Sequence, residues 1–205
     1  MGPMPLAARE FEVVLARLDA SPQDLRALEA CLSAAELKRA DRFFFERDRR
    51  RFVVARARLR QLLGERLGMA PQDIRLAYGA NGKPRLADEA MRFSVSHSDE
   101  IALFAFSKAR EVGVDIEAVR PIDSADAIAA HILSQRERRT YAAARDKVAA
   151  FLRFWTRKEA LAKAIGAGFS IAPEKLEPAR APGWHVRSFC PLPGFIAAIA
   201  CHTDR

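Results

Sequence analysis

Phe52, Arg56, Leu59, Leu63, Gly64 and Pro71 recur 102 residues later as Phe154, Lys158, Leu161, Ile165, Gly166 and Pro173. A constant offset over so many positions constrains the fold strongly, because whatever the first stretch builds the second must build again. Upstream of each stretch stands an S-x-x-E box, "LSAAE" at 32–36 and "LSQRE" at 133–137. Ser33 and Ser134 are placed to cap a helix, and Glu36 and Glu137 to reach back to the cap. Each half therefore reads as a short capped helix, a long helix ending near a glycine, a proline-marked turn and strands. The patterning predicts strands near 11–18, 74–78, 91–96, 101–107, 112–119, 184–189 and 195–201. Helices are predicted near 23–30, 34–42, 47–67, 125–132, 134–144 and 146–166. "GANGKP" at 79–84 reads as a turn, with Asn81 and Gly82 at positive φ and Pro84 resuming an extended chain. The expected class is α+β, as two similar lobes divided into 1–110 and 111–205.

Composition excludes several roles. No run of about eighteen apolar residues exists, so no membrane span is expected. The opening "MGPMPLAAREFEVV" lacks a basic start followed by an apolar region, so no signal peptide is expected. Leu6 stands where a myristoylation signal needs Ser or Thr. Cys31, Cys190 and Cys201 are odd in number, widely spaced and form no C-x-x-C, which suits a reducing cytosol and argues against zinc or a disulfide framework. A soluble, cytoplasmic protein is expected.

The net charge of +8 is concentrated. Residues 38–60 hold ten Lys/Arg against Asp41, Glu46 and Asp48, which points to an anionic partner. Phe52, Ala55, Leu59, Leu62 and Leu63 form an apolar stripe with Arg49, Arg56 and Arg60 along one edge. Basic residues at such a margin are expected to point across a groove.

"VGVDIEAV" at 112–119 sets Asp115 and Glu117 on one face of a strand, where two like charges repel. In "FLRFWTRKEALAKAIG" at 151–166, Glu159 and Lys163 share a helix face at i, i+4. A lone pair of acids is weak evidence for a metal, and a Glu–Lys pair is ordinary on a surface. Together, two strand carboxylates and one helix carboxylate would suit magnesium, which wants oxygen ligands, water and substrate phosphate. Arg49, Arg51, Lys83 and Lys163 would then hold the remaining phosphate charge.

These motifs resemble the signature of the Sfp-type 4'-phosphopantetheinyl transferases. "GVDIE" followed about forty residues later by "FWTRKEALAK" is similar to that family's Gly-hydrophobic-Asp-x-Glu strand and Lys-Glu-Ala-x-x-Lys helix. "NGKP" at 81–84, "FSVSHS" at 93–98 and the basic stretch "LSAAELKRADRFFFERDRRRFVVARARLR" agree in order and spacing, over roughly residues 30–170. The resemblance implies a pseudo-dimer with the active site between its lobes, the first binding coenzyme A and the second carrying the metal carboxylates. It implies Mg²⁺-dependent transfer of the phosphopantetheine arm of coenzyme A to a serine of an apo acyl or peptidyl carrier protein, releasing 3',5'-ADP. Asp115, Glu117 and Glu159 would ligate magnesium, Glu159 would serve as base, and Lys163 would sit on the attacked phosphate. Gly82, Lys83, Pro84, Ser96, His97 and Lys158 would line the nucleotide and phosphate site. Arg39 and Arg51 match basic positions for the 3'-phosphate, whereas Glu36 departs from one of them. Coenzyme A and a carrier protein are the expected partners of a monomer, with neither nucleic acid nor membrane involved.

Two other classes fit parts of the pattern. A metal-dependent nuclease or nucleotidyl transferase would also use three carboxylates beside basic residues. A non-enzymatic nucleic-acid binder would explain the basic segment but not the acids.

Overall fold

A computed structural model describes residues 11–79, 82–166 and 171–203. Strand β1 (Glu12–Arg17) leads to helices α1 (Pro22–Glu29), α2 (Ala34–Ala40) and α3 (Glu46–Leu67), then short strands β2 (Leu76–Tyr78) and β3 (Pro84–Leu86). Strands β4 (Arg92–Ser98), β5 (Ile101–Ser107) and β6 (Val112–Ala118) follow, then α4 (Ala125–Ile132), α5 (Gln135–Ala142) and α6 (Lys147–Ile165), and finally β7 (Trp184–Phe189) and β8 (Phe195–His202). The mixed helix and sheet content is the expected α+β class. The strands form sheets ordered β1-β5-β4, β2-β3 and β6-β8-β7.

The described chain gathers into two compact units. One holds residues 15–76 and 99–102; the other holds 77–98 and 103 onward together with the start of β1. This grouping does not follow the division of the repeat at 110/111, and serines explain why. Val114 N–H donates to Ser94 Oγ (3.1 Å), and Ala118 N–H donates to Ser98 Oγ (3.0 Å). Hydroxyls of β4 thus satisfy backbone groups on the open edge of β6, tying a first-half strand to the second half.

The capping boxes form as expected. Ser33 Oγ accepts from Glu36 N–H and Ser134 Oγ from Glu137 N–H, and each glutamate carboxylate accepts from its own cap's backbone. Helix α6 starts at Asp146, whose side chain accepts from Ala149 N–H, and stops at Gly166 in the left-handed region (φ 74°). Helix α3 ends at Leu67, as expected, although the repeat's counterpart of Gly166 is Gly64. Gly68 (φ 67°) is its left-handed cap, while Gly64 lies inside the helix, where an added Cβ would meet Met69 O at 2.5 Å. In the 79–84 turn Gly82 has φ 75° as expected, and Asn81 lies outside the described residues.

Within the unit of α1–α3, the basic edge of α3 is used internally, which corrects the expectation that it faces a groove. Arg49 donates to Glu29 (2.9 Å), and its pKa is raised above the usual value chiefly by that bond. Arg60 is buried, donating to Glu36 Oε2 (2.8 Å), Pro71 O (2.9 Å) and Ile74 O (3.0 Å), and Arg56 lies 3.5 Å from Glu36 Oε1. Glu36 is therefore a buried acid that joins a helix cap to α3. Arg39 lies over the Phe52 ring, 5.3 Å from its centroid, and Arg51 is half-buried on α3.

The other unit repeats the device. Lys158 is 2% exposed, pairs with Glu137 Oε2 (2.7 Å), and donates to Pro173 O (2.9 Å) and Leu176 O. Its three N–H groups are all spent on structure, so the expectation that Lys158 binds phosphate is corrected. Removing one partner of a buried pair strands the other charge, at about 3–5 kcal/mol. Glu137→Gln keeps the cap's shape but leaves Lys158 uncompensated, so urea denaturation should show a loss of about that size. Adding Lys158→Met should recover most of it; no recovery would mean that the pair is not coupled.

Candidate active site

Strand β6 is fixed along one edge by β8, with Asp115 opposite Ala198 and Glu117 opposite Ile196. Val112, Val114 and Ile116 are buried, and Gly113, Asp115 and Glu117 occupy the alternate positions. Helix α6 lies directly on this second face: a Cβ at Gly113 would stand 2.0 Å from Ala160 O and 2.5 Å from Ala164 N. Alanines make the approach possible on both layers, with Ala160 and Ala164 of α6 buried against Ala198 and Ala200 of β8. The i, i+4 spacing then stacks Trp155, Glu159 and Lys163 on one side of α6.

Each β6 acid acquires defined partners. Ser96 Oγ–H donates to Asp115 Oδ1 (2.8 Å), and Lys163 Nζ donates to the same oxygen (2.6 Å) and to Ser96 Oγ (2.9 Å). Asp115 is 4% exposed, and its Oδ2 is buried with no hydrogen-bond partner among the described residues. Glu117 accepts from Ser98 Oγ–H (3.0 Å) and from Trp155 Nε1–H (3.3 Å). Burial raises the Glu117 pKa and the Asp115 charge raises it further, against the hydrogen bonds from Ser98 and Trp155 and the Lys163 charge. Glu159 is likewise raised, first by burial and then by Asp115, with Lys163 opposing. The three acids thus feel one another's charge, and the expected constellation of Asp115, Glu117, Glu159, Lys163 and Ser96 is drawn together.

A divalent cation suits this donor set. Among the described residues no three His, Cys, Asp or Glu side chains already form a metal-holding group. The chemistry nevertheless fits: hard carboxylate oxygens, a buried Asp115 oxygen without a partner, and acids whose charges burial and repulsion disfavour.

Beside Lys163, Gly82, Lys83 and Pro84 line a cavity of about 210 Å³ that includes Ser94 and Gly166. Lys83 and Gly166 also line a neighbouring cavity of about 290 Å³ with Arg92 and Glu111. Lys83 lies 3.5 Å from Glu111 and donates to Ala164 O (3.5 Å); burial is the main cause of its lowered pKa. His97 is exposed, alternating along β4 with buried Ser96 and Ser98. Arg39, Arg51 and Glu36 belong to the other compact unit.

Sequence reasoning missed Ser94, Ser98, Trp155 and Glu111. For Ser94 and Ser98 the signal was present in "FSVSHS", where every second residue is a serine. Trp155 precedes Glu159 by one helical turn, a spacing that places its indole beside the same acids. Glu111, which pairs with both Lys83 and Arg92, left no pattern.

Comparison with known proteins assigns the family. The 4'-phosphopantetheinyl transferase superfamily profile matches residues 111–197, and a 4'-phosphopantetheinyl transferase N-terminal profile matches residues 17–109. The 4'-phosphopantetheinyl transferase HetI of Nostoc sp. is 37% identical over 198 residues, covering 89% of this chain and 84% of its own. The 4'-phosphopantetheinyl transferase AcpT of Salmonella typhimurium is 38% identical over 52% of this chain and 56% of its own. The human L-aminoadipate-semialdehyde dehydrogenase-phosphopantetheinyl transferase is 30% identical over 69% of this chain and 50% of its own. With both halves matched and one such relative spanned over most of its length, the chain belongs to the 4'-phosphopantetheinyl transferase superfamily.

Proposed function

We propose that the chain transfers the 4'-phosphopantetheine arm of coenzyme A to a serine of an apo acyl or peptidyl carrier protein, releasing 3',5'-ADP. The observation that carries this reading is the cluster of Asp115, Glu117 and Glu159 around Lys163, in a member of this superfamily. Within the superfamily the chain is of the Sfp type, since one chain carries both halves of the repeat, and it acts as a cytoplasmic monomer. We divide the repeat into lobes 1–110 and 111–205, a division supported by family profiles that match residues 17–109 and 111–197. The nuclease and nucleotidyl transferase readings have no comparable support.

Asp115, Glu117 and Glu159 would hold Mg²⁺, which supplies charge neutralisation for the coenzyme A pyrophosphate when bound. Glu159 takes the proton of the carrier serine hydroxyl, a role favoured by the raised pKa of its half-buried carboxyl. The serine oxygen forms its bond to the pantetheine-side phosphorus as the bond to the 3',5'-ADP oxygen breaks. Lys163 spends two of its N–H groups on Asp115 and Ser96, which holds the third toward a phosphate oxygen. Gly82, Lys83 and Pro84 shape the nucleotide cavity with Lys163. Arg39 and Arg51 serve the 3'-phosphate and His97 the nucleotide, as the family resemblance implies.

Incubation with coenzyme A, Mg²⁺ and a panel of apo carrier proteins, followed by intact mass measurement, tests the reading. A carrier should gain one phosphopantetheine, and no gain on any carrier would refute it. Glu159→Gln should lower turnover by at least ~10²-fold, the scale of lost general-base catalysis. Near-normal turnover would remove Glu159 from the chemistry.

The raised carboxyls make a second prediction. In the metal-free protein Glu117 and Glu159 hold protons more tightly folded than unfolded. Their stabilising contribution is complete below the unfolded value of about 4.3 and is lost as pH rises through the raised folded values. Melting curves in chelator should therefore fall less steeply between acid and neutral pH for Glu117→Gln than for the parent. At neutral pH, Mg²⁺ and coenzyme A together should raise the parent's melting temperature more than the sum of their separate effects. Additive shifts would mean that they do not share a site.

A further inference from the structure

Helix α6 has a second face that the proposed reaction does not use. Arg153 and Arg157 precede Trp155 and Glu159 by two residues each, so they lie about 200° around the helix from the carboxylate cluster. On that flank a groove of about 1070 Å³ runs between α6 and β7. Phe154, Ile196 and Phe189 are among the apolar residues lining it, and Arg153, Arg157 and Arg187 are its only charged lining residues among those described. Among the described residues no hydrogen bond or ion pair engages the side chain of any of these three arginines. Four arginines elsewhere differ from them: Arg49, Arg56, Arg60 and Arg92 each meet a carboxylate. Arg153 and Arg157 stand at i, i+4 on one helix, a spacing at which like charges repel. An apolar floor with a positive rim is complementary to one kind of ligand, a helix with an apolar stripe edged by Asp and Glu.

We propose that the groove between α6 and β7 docks an acidic amphipathic helix of a partner protein. This goes beyond the transfer reaction, because the groove lies on the opposite flank of α6 from Glu159 and Lys163. A second copy of this chain is a poor occupant, since a net charge of +8 repels its like.

Cys190 provides the reporter, being an exposed thiol on the groove lining. The probe is a synthetic helical peptide of about four turns with Leu on one face and Glu along both edges of that face; Gln-edged and Lys-edged versions are controls. The Glu peptide should slow maleimide alkylation of Cys190 at least tenfold, and added salt should relieve the protection. The Gln and Lys peptides should give little. Arg153→Gln with Arg187→Gln should abolish protection while leaving melting temperature and phosphopantetheine transfer to a carrier unchanged. If that pair is unstable, Arg157→Gln alone should weaken the protection. The proposal is overturned if the Glu peptide does not protect Cys190 or if the Gln peptide protects equally. It is also overturned if only phosphatidylglycerol vesicles protect, or if protection without peptide rises with protein concentration, as self-association would require. Transfer activity is measured separately on each variant, so failure of this proposal and failure of the catalytic reading are distinguishable.

Discussion

The contact on which the site depends is the one made by a missing side chain. Gly113 lets the backbone of α6 rest on β6, where any Cβ would overlap Ala160 O and Ala164 N. Side chains on one strand face alternate with a period of two, so the same face carries Gly113, Asp115 and Glu117 in order. The glycine draws the helix in, and the two acids beyond it meet what the helix brings. Lys163 arrives at Asp115 and Trp155 arrives at Glu117, with Glu159 one turn from each. A wider spacing between helix and strand would first break the Trp155–Glu117 bond, which at 3.3 Å is already at the limit of ordinary bonding distance.

That geometry also accounts for the charge state of the cluster. Burying Asp115 and half-burying Glu117 and Glu159 near one another is costly, and the fold offsets only part of it. Lys163, Ser96, Ser98 and Trp155 satisfy Asp115 Oδ1 and both oxygens of Glu117, while Asp115 Oδ2 remains buried without a partner among the described residues. Such an incomplete network is costly to the isolated chain. Hydroxyls from β4 contribute twice, to the acids and to the β6 backbone, so the strand that orients the carboxylates is also held at its edge.

Much of this is legible in the order of the residues alone. The capping boxes, the D-x-E strand, the Glu159–Lys163 face and the Gly82 turn follow from local rules, because each depends on residues a few positions apart. Lys158 and Lys163 show where local rules stop. They lie five residues apart on one helix, about 140° around its axis, and that angle separates a lysine buried against Glu137 from one placed on Asp115. Periodicity supplies the angle but not the neighbours. Likewise, alternation in "FSVSHS" separates Ser96 from His97, yet the pairing of β4 serines with β6 depends on non-local contact. The grouping of β4 with the second half of the repeat is hidden for the same reason.

The repeat itself is preserved as an interaction rather than as residues. In each half a capping-box glutamate meets a buried cation of the long helix, and that cation also holds two carbonyls of the proline-marked turn. In the first half Arg60 joins Glu36 to Pro71 O and Ile74 O; in the second Lys158 joins Glu137 to Pro173 O and Leu176 O. The turn positions match at the constant offset, but the cations do not: the counterpart of Lys158 is Arg56, one turn before Arg60. Arg60 does the work of Lys158, while Arg56 keeps a longer contact with the same glutamate. An extended guanidinium can therefore replace an ammonium from a neighbouring helical turn, provided that its donors reach the same three acceptors. The concentration of basic residues in 38–60 follows in part from this. Several of those cations complete the fold of their own unit, so net charge along a sequence overstates the charge left for a partner.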